Sequence, residues 1–95
     1  MPKRIKSEKE IRAGDFFEDC AFHPCLCISV GADGSPASVD AISLVNGNLK
    51  SCSARHCGLR LLTVKEAIHW KLRGPKDQKL KPKERWWGKE RWWEE

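Results

Sequence analysis

Asn46-Gly47 stands between two runs of mixed apolar and polar residues, Val39 to Val45 and Asn48 to Cys52. Both residues of the dipeptide accept positive φ cheaply, so it predicts a hairpin that pairs the two runs antiparallel. Within the first run Asp40 is the residue hardest to bury. Upstream, PCLCISVG between Pro24 and Gly31 predicts another strand. It carries β-branched Ile28 and Val30 and is bounded by Pro and Gly. Simple alternation sends Cys25, Cys27 and Ser29 to one face and Leu26, Ile28 and Val30 to the other. Pro24 is tolerated at the start, where no ladder hydrogen bond is lost. GADGSP then makes a turn with Asp33-Gly34 at its tip.

The β pattern stops at Leu62. Leu59 to Leu62 form a last short strand after Gly58, and Thr63 is followed three residues later by Glu66. Thr-x-x-Glu is a capping box, in which the hydroxyl and the carboxylate each satisfy one orphan amide. A helix is expected from Val64 to about Arg73, closed by Gly74 and prevented from continuing by Pro75. Val64, Ala67, Ile68 and Leu72 recur at helical spacing and are read as its buried stripe. Lys71 and Arg73 suit the negative end of the helix dipole. Together these elements predict a mainly β (α+β) fold: a small SH3-like, partly open barrel or a curled antiparallel sheet with one C-terminal helix.

The ends read differently. Residues 1–10 are charged and almost free of apolar groups, so they are expected to be a disordered basic arm. Residues 11–74 are expected to be a single small β-rich domain. In residues 75–95 a Lys/Pro linker leads to a Trp-rich tail, in which Lys83-Glu84-Arg85-Trp86-Trp87 recurs as Lys89-Glu90-Arg91-Trp92-Trp93. A core of such length is marginal, and a metal, a partner or very good packing would help it. The net charge of +5 divides as +3 over residues 1–12, −2 over residues 13–62 and +4 over residues 63–95. Positive charge therefore sits on the helix and the two ends.

The five cysteines are an odd number, which forbids a complete set of intrachain bridges. No apolar run is long enough for a membrane span, and the N-terminus lacks a signal-like apolar stretch. A cytoplasmic location with reduced cysteines is therefore expected. Two loops, DCAFHPC and SCSARHC, each carry two cysteines and a histidine. One reading takes Cys20, His23, Cys52 and Cys57 as a structural zinc site, with His56 or Cys25 as substitutes. Another treats the thiols as small buried hydrophobes and expects no cofactor, and a third takes them as redox-active or, on oxidation, as the bridges Cys20 to Cys25 or Cys52 to Cys57. A cysteine nucleophile pairing Cys57 with His23, or Cys20 with His56, is the least favoured reading, and no enzyme is expected.

The function expected is that of a small non-enzymatic protein-interaction domain. Its interaction residues would be Trp70, Arg85, Trp86, Trp87, Arg91, Trp92 and Trp93, because Trp and Arg supply most interface energy. The partner would be another protein or a second copy. Nucleic acid is the alternative partner, with the basic arms following phosphates and the tryptophans stacking on bases.

Overall fold

The computed structural model describes residues 3–5, 7–31, 38–54 and 58–87. The expected turn tip at Asp33-Gly34 lies outside them, as do His56, Cys57, Arg91, Trp92 and Trp93. Among the described residues are six strands and one α-helix. The strands are β1 (Lys3–Arg4), β2 (Phe16–Glu18), β3 (Pro24–Val30), β4 (Ser38–Ser43), β5 (Leu49–Ser53) and β6 (Arg60–Leu62); the helix is α1 (Val64–Arg73). All pair antiparallel in the order β1-β6-β2-β3-β4-β5. The protein is thus a small, mainly β domain whose sheet is not closed into a barrel: β1 and β5 are its two edges.

Alternation along β2 and β6 separates two apolar clusters. Phe16 pairs with Leu62, and Phe17 with Leu61. Phe17 joins the larger cluster, which contains Ile5, Ile11, Cys25, Cys27, Val39, Ala41, Ala54 and Leu59, with Leu61 packed against it. On the other side Leu62 meets Ala67 and Trp70 of α1, flanked by Phe16 and Leu44. Cys25 and Cys27 are fully buried, as expected of thiols acting as small apolar groups.

The N-terminal segment departs from the expected disordered arm. Lys3–Arg4 pair with β6, the Ile5 amide donates to the Leu59 carbonyl at 2.8 Å, and Ile5 is buried in the larger cluster. One isoleucine among charged residues has no periodicity to announce it. Its burial nevertheless removes enough apolar surface to hold a short edge strand in place.

Two strand details also differ. Between Cys27 and Ser29 the register shifts, because Cys27 pairs with Ala41 and Ser29 with Asp40. Ile28 is the extra residue of this bulge. It is exposed, while Val30 rather than Ser29 packs on the core. Ser29 instead donates to Asp40 at 3.2 Å, and Ser51 donates to the other carboxylate oxygen at 2.8 Å. Those bonds let Asp40 remain half-buried. At the hairpin Ser43 accepts the Gly47 amide and donates its own to Asn48. Only Gly47 takes positive φ there, 74°, so the connection is a four-residue loop rather than a two-residue turn.

The helix limits follow the expectation. The Thr63 hydroxyl accepts from the Glu66 amide at 3.1 Å and Glu66 accepts from the Thr63 amide at 2.9 Å. Gly74, at φ 84° and ψ 176°, ends the helix in a region that only glycine enters readily. What differs is the face turned inward. Ala67 and Trp70 are buried, whereas Val64, Ile68 and Leu72 are 58%, 54% and 64% exposed. Trp70 wins the inward place because it offers the largest apolar body and its N–H finds an acceptor. That acceptor is Glu18, at 2.6 Å.

Glu18 is itself buried and bonded by Arg60, its cross-strand partner, through Nε at 2.6 Å and Nη2 at 2.8 Å. The same guanidinium donates to both oxygens of Asp77. Those bonds hold the Asp77 carboxyl below the usual carboxylate range. Through Arg60 the chain beyond the helix is tied back to the sheet.

Candidate functional site

The first cysteine loop is the connection between β2 and β3, and its organiser is Asp19 rather than a cysteine. Asp19 is buried; its Oδ1 accepts the amides of Ala21 and His23, both at 2.9 Å. These bonds hold Phe22 in the left-handed region at φ 67°, a conformation costly for a bulky side chain. Lys50, reaching in from β5, forms an ion pair with Asp19 Oδ2 and bonds His23 Nδ1 at 3.2 Å. Burial pulls the Lys50 pKa down, but the bond and charge of Asp19 outweigh it and leave it raised. An ammonium thus already neutralises the cluster.

Of the expected metal ligands, His23 faces that ammonium, Cys25 is buried near Asp19, Cys52 is half-buried on the core and Cys20 is exposed. Cys57 and His56 lie outside the described residues. Among the described residues no three His, Cys, Asp or Glu side chains are grouped to hold a metal ion. Burial, then the nearby Asp19 charge, pushes the Cys25 thiol up to about 12. It is a packing group and a poor nucleophile at neutral pH.

Burial holds the His23 pKa below its ordinary value; Asp19 opposes that shift and Lys50 reinforces it. A depressed histidine pKa means that the unfolded chain takes up a proton first as pH falls. The stability His23 contributes is complete above about pH 6.5 and is lost progressively below it, until the folded form also protonates. His69 is lowered too, by desolvation and by Lys76 and Arg73. Urea midpoints measured between pH 7.5 and 5 are expected to fall with pH. The decline should flatten in His23→Gln and flatten further when His69→Gln is added. An unchanged decline in the double variant would show that neither imidazole causes it.

The expected interaction residues divide. Trp70 is core and has no face left for a partner. The described part of the tail docks on its own domain. Trp86 donates its indole N–H to the Trp70 carbonyl at 2.8 Å and meets His23 edge-on, with ring centroids 4.7 Å apart. Trp87 stacks edge-on with Trp86 at 4.9 Å and lies directly over Gly74, where an added Cβ would come within 2.5 Å of its ring. Arg85 donates through Nε to the Leu80 carbonyl at 3.0 Å and sits above Trp87. Leu80 is buried. The chain after Pro75 is therefore attached as far as Trp87, and these two indoles are not a free platform for bases. Arg91, Trp92 and Trp93 lie outside the described residues.

What the sequence reading missed is the outer face of α1. At about 100° per residue, Val64, Ile68 and Leu72 form one stripe about 80° wide. Lys71 stands just outside one border and Lys65 just outside the other, while Glu66 lies on the far side. Between this stripe and the sheet is a groove of about 240 Å³, lined by Phe16, Leu44, Val64, Ala67, Ile68, Lys71 and Leu72. The bracketing lysines were the available signal: a stripe with cations along both borders is as consistent with an outward docking face as with a core. No helix among the described residues is long and apolar enough to cross a membrane. Comparison with protein-family models, curated proteins and solved structures finds no match to this chain.

Proposed function

We propose that this is a non-enzymatic protein-interaction domain that receives an amphipathic, acid-flanked helical segment of another protein in the groove beside α1. The observation that carries the reading is the position of Val64, Ile68 and Leu72, each more than half exposed on a helix whose other side is anchored. Three aliphatic groups at four-residue spacing match the anchor spacing of helix-in-groove recognition. Phe16 and Leu44 supply the opposite wall. Lys65 and Lys71 along the borders select acidic flanks in the partner and steer its approach. The same lysines disfavour a second copy, since symmetric pairing of two such faces would bring like charges together. The buried thiols of Cys25 and Cys27 suit a reducing compartment such as the cytoplasm.

The test is titration with an amphipathic peptide of about eighteen residues that carries leucines at helical anchor spacing. One version has flanking glutamates and the other has flanking lysines. Saturable binding of the acidic version is expected, weakened by added salt and by about tenfold or more in Ile68→Ser. Because Ile68 is exposed, that variant should retain wild-type stability. Equal binding of both peptides, or full binding by Ile68→Ser, would exclude the reading. A concentration-dependent dimer abolished by Ile68→Ser would reassign the face to a second copy.

A further inference from the structure

The tail raises a question independent of the α1 groove: what does its second pentapeptide do? The described contacts read three side chains in order. Arg85 bonds the Leu80 carbonyl and covers Trp87, Trp86 bonds the Trp70 carbonyl and meets His23, and Trp87 lies on Gly74. Arg91, Trp92 and Trp93 repeat those residue types in the same order, again preceded by Lys-Glu. The receptor surface has no means of telling the units apart beyond what flanks them.

We infer that the surface made by the Leu80 and Trp70 carbonyls, His23 and Gly74 is a receptor for an Arg-Trp-Trp unit, and that residues 89–93 are its alternate ligand within the same chain. The chain length permits this. With Leu80 kept in its buried place, the loop leading to the first docked tryptophan grows from residues 81–85 to residues 81–91. Loop closure grows only logarithmically with length, so the longer connection lowers occupancy by roughly threefold. The local flank also favours the first unit. Pro82 opens the 3₁₀ turn Pro82–Glu84 that leads into it, whereas Gly88 stands at the corresponding place in the second. Proline pre-sets that backbone and glycine does not. Docking of Trp86 and Trp87 is therefore the preferred state, and exchange leaves one unit available to a partner while the other holds the domain.

Hydrogen-exchange protection of the tail indole N–H groups, read by NMR on the full chain, tests this. In the wild type, protection at Trp86 is expected to dominate, with a smaller fraction at Trp92. In Trp86→Ala/Trp87→Ala, protection should reappear at Trp92 with the mass of the chain unchanged. Changing all four tail tryptophans to Ala should abolish it. Loss of every protected tail indole in the first variant, or protection accompanied by a doubled mass, would overturn the inference. Pro82→Gly leaves all four tryptophans in place and removes the turn advantage, so protection should move from Trp86 toward Trp92. Protection that stays wholly on Trp86 in that variant would count equally against the exchange.

Discussion

Ile5→Ala is expected to destabilise the protein by about 2–5 kcal/mol, the usual cost of cutting a fully buried Ile to Ala. Ile5 is 1% exposed and belongs to the same cluster as Phe17, Val39 and Leu59, so no water or flexible loop can take up the space it leaves. A domain of this size has a total stability on the order of 5–15 kcal/mol, so the loss is a large share of it. The corresponding fall in melting temperature is roughly 10 °C or more. Lys3→Ala and Arg4→Ala, at exposed positions of β1, should cost far less. Removing residues 1–5 should cost at least as much as Ile5→Ala and also uncover the edge of β6, which favours aggregation. Urea denaturation of the three variants and the truncation checks the ranking. An Ile5→Ala midpoint equal to that of the wild type would mean that the N-terminal segment lies outside the cooperative unit.

The contrast between Ile5 and α1 shows where local reading succeeds. Thr63, Glu66, Gly74 and Pro75 act within one turn of where they stand, so the helix limits were legible from adjacent residues. Asn46-Gly47 marked a hairpin correctly, yet the loop geometry depended on Ser43 and Asn48 bonding around it. The face α1 turns inward was not legible, because the deciding contact is between Trp70 and Glu18, fifty-two positions apart. A stripe of aliphatic residues predicts a buried face only when nothing larger competes for the core, and here an indole with a buried acceptor does. The bulge at Ile28 was hidden for a similar reason: a register shift belongs to the pair β3 and β4, not to either strand alone. Of the candidate site, the stripe of Val64, Ile68 and Leu72 is legible in the sequence but the side it faces is not, and Phe16 and Leu44 join it only through the folded sheet. Val64, Ile68 and Leu72 define an external face because Trp70 displaced them.

That displacement makes the Glu18 network the second point at which one substitution should have a large effect. Arg60→Met is expected to cost about 3–5 kcal/mol, because it leaves a buried carboxylate without its cation. The Glu18 side chain is 3% exposed and Arg60 20% exposed, so solvent cannot replace the two charge-assisted bonds at 2.6 and 2.8 Å. Asp77→Asn breaks the outer half of the same fork, where Asp77 is 27% exposed, and should cost no more than about 1 kcal/mol. Adding Glu18→Gln to Arg60→Met removes the uncompensated charge while keeping an oxygen for the Trp70 indole. The double variant is therefore expected to recover part of the loss, a coupling that independent sites would not show. Urea denaturation of the two single variants, the double and Asp77→Asn measures the cycle. If Glu18→Gln and Arg60→Met simply add, Arg60 is not what compensates the buried Glu18 carboxylate. If they couple, Arg60 is what holds in place the buried carboxylate that accepts the Trp70 indole N–H.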